Sequence, residues 1–285
     1  DALPISFTLS KNIDILETGT IDSEVELMIT GSLSGSGVLK KSGEGAVSFI
    51  GTNNTFRGPA IISGGSLLIG GVSLSPSKSS SSETPREIYL DFLEDINTIP
   101  NLYGSGNIDL DAVELVVGSE LDSVYDGVIS GSGSIIKTGP GFLEMRGSHT
   151  YTGATRIDAG TLTVNGLLNS PTIVGEGARL QGNGIFAQGL LNHGTLAPGN
   201  SIGHTIITGS YTQASGSTLE MEVSPTDSDL LTVTELVTIQ GNTTLEVIPL
   251  LASYSPNTTQ ELIYSDDKIN GQFTYLTFNF FNRTS

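Results

Sequence analysis

Short runs in which apolar and polar residues alternate recur along the chain. In one run Leu162 and Val164 alternate with two threonines, and in another Leu219, Met221 and Val223 alternate with two glutamates. Because successive side chains of a strand point to opposite faces, each run predicts a short β-strand with one apolar face. Strands this short cannot form a core alone, so we expect them to stack as successive turns of a solenoid.

Two copies of one sequence pattern occupy residues 35–71 and 131–166, with one extra residue in the first copy before Phe56. Glycine adopts positive φ without steric cost, so the regularly spaced glycines predict corners between the strands. The matched residues of the first copy are Gly35, Gly37, Lys41, Gly43, Gly45, Gly51, Gly58, Gly65, Leu67 and Gly71, and those of the second are Gly131, Gly133, Lys137, Gly139, Gly141, Gly147, Gly153, Gly160, Leu162 and Gly166.

The second copy reads GSGSIIKTGPGFLEMRGSHTYTGATRIDAGTLTVNG. It resembles the autotransporter-associated β-strand repeat of bacterial type V autotransporter passengers, GSGxLxKxGxGxLxLxGxNxYTGxTxIxxGTLxVNG. His149 stands where that repeat usually has asparagine. The resemblance implies an all-β fold, a single-stranded, right-handed parallel β-helix.

Three later segments, at 194–201, 210–223 and 228–233, are similar to the C-terminal passenger region of the same family. The resemblance implies a rod over residues 1–193, followed by an autochaperone-like region over 194–285 that folds first. It also implies that the full-length protein carries its own C-terminal outer-membrane β-barrel translocator, which this segment lacks.

An irregular insertion at about 73–100 interrupts the repeat. Residues 73–87 are rich in serine and proline and poor in apolar residues, which predicts a mobile excursion. A capping-box pattern at 84–87 favours a helix after it. Alternation over 88–93 favours a strand instead, and the sequence leaves both alternatives open.

The composition narrows the functional classes. The chain has 36 glycines and only 15% charged residues, and 30 acidic against 12 basic residues give a formal charge of −18. Nucleic acid and anionic lipid are therefore not expected as partners. The absence of cysteine fits a chain exported unfolded through an oxidising periplasm. No apolar run reaches the roughly 18 residues of a direct membrane span.

The sharpest enzyme-like motif is the G-x-S-x-G pattern at residues 199–203, followed directly by His204. A nucleophile elbow needs a strand-to-helix turn and a histidine from a distant loop. We therefore expect a structural turn, no catalytic residue and no enzymatic activity. His149, His193 and His204 lack the spacing of metal ligands, so neither a metal nor another cofactor is expected.

Loops on rigid scaffolds commonly carry binding residues, which directs attention to the insertion. Its candidate binding residues are Tyr89, Phe92 and Leu93, which lie beside the serine-rich segment, and aromatic anchors carry much of an interface's energy. The expected function is that of a secreted or surface-displayed, adhesin-like virulence factor of a bacterium. Its expected partner is a host-cell surface protein or the extracellular matrix.

Two other functions remain open from the sequence. The chain could be a structural stalk and folding nucleus for an N-terminal effector. It could also be the β-helical part of a vacuolating-type cytotoxin, which would need a hydrophobic N-terminal segment.

Overall fold

The computed structural model describes residues 6–50, 56, 59–62, 66–69, 72–75, 88–91, 98–99, 102–110, 112–118, 122–250, 254–255 and 259–279. All regular elements in these residues are β-strands. No helix in the described part of the chain is long and apolar enough to cross a membrane. Contacts divide the chain into two units, Asp1–Gly153 and Ala154–Ser285. The predicted boundary between 193 and 194 concerns the order of folding and stays a prediction.

The described strands of the first unit are β1 (Ser6–Leu9), β2 (Ile13–Ile15), β3 (Thr18–Asp22), β4 (Glu26–Ile29), β5 (Leu33–Gly35), β6 (Val38–Ser42), β7 (Ala46–Phe49), β8 (Pro59–Ile62), β9 (Ser66–Ile69), β10 (Val72–Ser75), β11 (Ile88–Asp91), β12 (Thr98–Ile99), β13 (Leu102–Gly104), β14 (Asn107–Asp109), β15 (Glu114–Val117), β16 (Ser123–Tyr125), β17 (Val128–Ser130), β18 (Ser134–Lys137), β19 (Phe142–Met145) and β20 (Ser148–His149).

These strands form two long sheets, β1-β4-β7-β9-β10-β14-β17 and β3-β6-β8-β11-β13-β16-β19, and two shorter ones, β12-β15-β18 and β2-β5. Neighbouring strands are parallel except where β10 or β11 is a partner. Buried side chains alternate along the strands, as Val47 and Phe49 do in β7. The strands therefore stack as a solenoid around an apolar core.

The insertion adds one reversed strand to each of the two long sheets. β10 is antiparallel to β9 and β14, and β11 is antiparallel to β8 and β13. The mobile excursion predicted from residue 73 is therefore wrong at 73–75, because this backbone is hydrogen-bonded on both sides. Of the two alternatives, the strand is correct at Ile88–Asp91. Residues 76–87 and 92–97 lie outside the described residues.

The described strands of the second unit are β21 (Thr155–Ile157), β22 (Thr161–Val164), β23 (Leu167–Leu168), β24 (Thr172–Val174), β25 (Arg179–Gly182), β26 (Ile185–Phe186), β27 (Leu190–Asn192), β28 (Thr195–Pro198), β29 (His204–Ile207), β30 (Tyr211–Gln213), β31 (Thr218–Val223), β32 (Leu230–Val233), β33 (Val237–Ile239), β34 (Thr244–Pro249), β35 (Ile263–Ser265), β36 (Ile269–Gly271) and β37 (Tyr275–Phe278).

Within the second unit three parallel sheets run side by side, in the orders β22-β25-β28-β31-β34-β37, β21-β24-β27-β30-β33-β36 and β23-β26-β29-β32-β35. Each turn of the chain contributes one strand to each sheet, and every third strand returns to the same sheet. The predicted all-β, parallel β-helix is confirmed. The repeat of short strands and corners in each turn follows from the local alternation of apolar and polar residues and from the spaced glycines in the sequence.

A leucine ladder passes through the first of these sheets. Its register pairs join Leu162, Leu180, Leu196, Leu219, Leu245 and Leu276. Leu219 is fully buried, whereas Leu276, in the last strand, is 58% exposed. From Leu196 onward, each interval between ladder leucines contains more residues than the one before.

Candidate functional site

The predicted binding residues lie at the insertion of the first unit. Tyr89 belongs to β11, where its Cα pairs with Ile61 on one side and Tyr103 on the other. Phe92 and Leu93 lie outside the described residues. Tyr89 is therefore fixed within a sheet, and its role in binding stays a prediction.

A concave pocket of about 460 Å³ lies on the second unit. It forms where β31 and β34, with six residues each, extend past β25 and β28, which have four. The connection from β28 to β29 contributes to the lining with residues 199–201, and the end of β34 with residues 248–250. Four charged side chains also line the pocket, namely Arg179, Glu220, Glu222 and Asp229.

Arg179 and Glu220 form a bidentate ion pair in this pocket. Nη1 of Arg179 donates to Oε2 of Glu220 at 2.8 Å, and Nη2 donates to Oε1 at 2.6 Å. The arginine side chain is 32% exposed and the glutamate side chain 18%. Parallel hydrogen bonds of this kind fix geometry as well as charge. Glu220 is therefore already neutralised by its own chain.

Asp229 lies beside this pair and is almost completely buried, with 1% of its surface exposed. Its carboxylate accepts hydrogen bonds from the backbone N–H groups of Gly203, at 2.8 Å, and Glu222, at 2.5 Å. The pKa of Asp229 is raised to about 7, mainly because burial removes the carboxylate from solvent; the two backbone hydrogen bonds oppose this shift, and the negative charges of Glu222 and Glu220 add to it. Asp229 thus joins the turn before β29 to the end of β31.

Glu222 occupies the part of β31 that extends past β28. Its Oε2 is buried and accepts no hydrogen bond from any described residue. A buried charge without a partner is costly, so this carboxylate and Asp229 leave a strong negative potential in the pocket. From the sequence alone, Glu220 and Glu222 form only the polar face of this strand.

The G-x-S-x-G segment connects two strands directly, as the sequence predicts, and no helix follows it. Gly199 has φ +89° and forms an isolated bridge with Gly182. His204 Nε2 lies 2.8 Å from Thr232 Oγ1, on the neighbouring strand β32. The His204 ring is therefore hydrogen-bonded to Thr232, and the Asp229 carboxylate is hydrogen-bonded to backbone N–H groups.

His149 is the only histidine of the three that is fully buried. It stacks on Tyr125 with ring centroids 6.1 Å apart, and neither of its ring nitrogens has a hydrogen-bond partner among the described residues. Burial lowers its pKa to about 4. Among the residues that the structure describes, no group of three histidine, cysteine or acidic side chains could hold a metal ion.

Comparison with known proteins explains the repeated pattern. The family model of the passenger-associated transport repeat matches residues 39–69 and 135–164. Both matches fall within the two copies that the sequence displays. The chain belongs to the autotransporter passengers. The glycine corners and short strands described above are thus the structural form of a passenger repeat.

Two curated relatives resemble this passenger chain. The adhesin BmaC autotransporter of Brucella suis biovar 1 (strain 1330) is 31% identical over 247 residues, which are 85% of this chain and 7% of that protein. The extracellular serine protease of Serratia marcescens is 38% identical over 76 residues, which are 26% of this chain and 7% of that protein. The match thus spans only a small part of either relative.

Proposed function

We propose that this passenger chain is part of a non-enzymatic, adhesin-like virulence factor that engages a host-cell surface protein or a matrix component. Export through the periplasm and outer membrane would place it at the bacterial surface or in the medium. The observation that carries the proposal is the similarity to an autotransporter adhesin over 85% of this chain.

The architecture supports a binding role. A stack of short parallel strands gives a rigid support, and rigid supports position loops for recognition. The insertion departs from the repeat, since β10 and β11 run opposite to their neighbours. Residues 76–87 and 92–97 follow these strands directly. Tyr89, Phe92 and Leu93 are the side chains that we propose as anchors there.

The non-enzymatic part of the proposal is supported by the G-x-S-x-G segment. A serine nucleophile needs a base within about 3 Å and a third group that orients the base. Here His204 bonds to Thr232, and Asp229 holds the backbone of Gly203. Both side chains thus have structural partners in place of Ser201.

A binding assay tests the proposal. The fragment 1–285, labelled with a fluorophore, is added to cultured host cells and to immobilised matrix proteins. We expect saturable binding that the double variant Tyr89→Ala with Phe92→Ala weakens at least about tenfold, because loss of one large anchor commonly costs about 2 kcal/mol. The control is Tyr264→Ala, since Tyr264 is 44% exposed on a regular strand.

The results separate the two parts of the proposal. No saturable binding of the parent fragment to cells or matrix would reject an adhesive role for this segment. Equal binding of the parent and the double variant would retain adhesion but reject the insertion as the contact surface.

The second candidate function is that of a structural stalk that supports an effector elsewhere in the full-length protein. One observation favours it. A segment of this chain is shared with an extracellular serine protease as well as with an adhesin, two proteins with different names and activities. Such a similarity is expected if the two proteins share a β-helical stalk and carry different effector domains on it. In that case the fragment alone would bind nothing, and the activity would belong to another part of the full-length protein.

A further inference from the structure

The pocket on the second unit contains more negative charge than its own chain neutralises. Glu220, Glu222 and Asp229 carry three formal negative charges, and Arg179 carries one positive charge. The ion pair between Arg179 and Glu220 removes one charge of each sign. Glu222 and Asp229 remain, with no ion pair to any described cationic side chain.

Burial increases the free-energy cost of these unpaired negative charges. Asp229 is 1% exposed, and among the described residues its carboxylate accepts hydrogen bonds from two backbone N–H groups. Oε2 of Glu222 is shielded from solvent and has no donor among the described residues. Two neighbouring carboxylates in a poorly solvated site repel each other. A cation bound in the pocket beside them would relieve this repulsion.

The pocket also has an apolar side. Ile248, Pro249 and Leu250 line it at the end of β34, where Ile248 is the register neighbour of Glu222. Lysine and arginine combine an aliphatic stem with a charged head. The stem can pack on apolar surface while the head binds a carboxylate. A pocket of about 460 Å³ has room for one such side chain.

A metal ion fits the pocket less well than an organic cation. Calcium takes six to eight oxygen ligands, and magnesium requires near-ideal octahedral geometry. The Asp229 carboxylate is already held by two backbone donors, and the described residues contain no metal-binding group of three side chains. Ammonium and guanidinium groups need only one or two acceptors in a suitable direction.

We propose that this pocket binds the basic side chain of a lysine or arginine from a polypeptide partner. Glu222 accepts the charged head, and residues 248–250 contact the aliphatic stem. The site belongs to the second unit and does not depend on the proposed role of the insertion. It can therefore be correct even if the insertion binds nothing.

The probe is a blocked pentaglycine peptide whose central residue is replaced by lysine, arginine or norleucine. Binding to the 1–285 fragment is followed by the NMR shifts of the Gly203 and Glu222 amides, which both donate to Asp229. The titration is made at pH 8, where Asp229 is mostly charged. We expect the lysine or the arginine peptide, or both, to shift these amides saturably, and the norleucine peptide to leave them unchanged.

Two variants change the charge of the pocket in opposite directions. Glu222→Gln should weaken binding about tenfold or more, as expected for loss of a charge-assisted contact. Arg179→Gln frees Glu220 and should tighten binding several-fold. The matched control is Glu176→Gln, because Glu176 is an exposed carboxylate of the same unit outside this pocket.

The proposal is overturned if neither basic peptide shifts the two amides, or if norleucine shifts them equally. It is also overturned if the peptides bind to Glu222→Gln as tightly as to the parent. Because Arg179→Gln is expected to gain affinity, a variant that merely misfolds cannot imitate the predicted pattern.

Discussion

Lys41 and Lys137 occupy the same position in the two repeat copies and make the same contacts. Each is fully buried, and each Nζ donates to the carbonyl oxygens of the two residues that follow it, at 2.5 and 2.8 Å for Lys41 and at 2.8 and 3.0 Å for Lys137. The second carbonyl belongs to Gly43 or Gly139, whose φ angles are 75° and 74°. The repeated lysine and glycine therefore stabilise one corner of the solenoid together.

We expect Lys41→Met to destabilise the chain by about 2 kcal/mol, because two carbonyl groups at the corner lose a charged donor. Lys40→Met is the matched control, since the adjacent Lys40 is exposed. Urea unfolding followed by circular dichroism measures both. A loss of stability as large in Lys40→Met as in Lys41→Met would show that the buried contacts are not the cause.

His149 should make the chain sensitive to acid. Its pKa is lowered to about 4, below the value of about 6.5 in an unfolded chain, so the unfolded state binds the proton more readily. This part of the stability is present above pH 6.5 and is lost as the pH falls towards 4, by about 3 kcal/mol in total. His149→Phe should remove this loss.

The measurement compares the free energy of unfolding at pH 7 and pH 4.5 for the parent and the variant. His193→Phe is the control, because His193 is only partly buried. Equal acid sensitivity of the parent and His149→Phe would exclude His149 as the source.

Asp229 should titrate near neutrality. Its folded-state pKa of about 7 lies above the unfolded value near 3.9, so its contribution to stability is complete below pH 3.9 and is lost as the pH rises through 7. The Gly203 amide, which donates to Asp229, should report this midpoint by NMR. Glu222→Gln should lower the midpoint, because it removes a neighbouring negative charge. A midpoint below pH 5 in the parent would contradict the burial argument.

Removal of residues 70–91 should leave a folded solenoid. This excision deletes β10 and β11 together, so that β9 can pair with β14 and β8 with β13, all in the parallel direction of the other strands. We expect a β spectrum in circular dichroism and a melting temperature within about 5 °C of the parent. Deletion of 73–87 is the contrasting variant, since it removes most of β10 and keeps β11. Equal melting temperatures for the two deletions would show that the strands do not act as a pair.

The repeating fold was accessible from sequence because its cause is local. Alternation at Leu162 and Val164 and the glycine corners depend on neighbours within a few residues. The type of element at Ile88–Asp91 was not accessible, because the capping and strand patterns overlap there. Pairing with β8 and β13, which the local pattern does not encode, selects the strand.

The pocket could not be predicted for a related reason. Arg179 lies two turns before Glu220 and Asp229, and their proximity depends on the register of β25, β28 and β31. In sequence, Glu220 and Glu222 look like the solvated side of an ordinary strand. Only the greater length of β31 and β34 reveals that part of this side is covered.

The leucine ladder has a consequence for how such a chain can change. From Leu196 to Leu276 the intervals lengthen, yet every ladder leucine keeps its register with the next. The register of the ladder therefore does not depend on how many residues separate two of its strands. The length of a turn and the pairing between turns are independent variables in this molecule. A single turn can thus acquire a new outer surface while the spacing of all the turns above and below it stays the same.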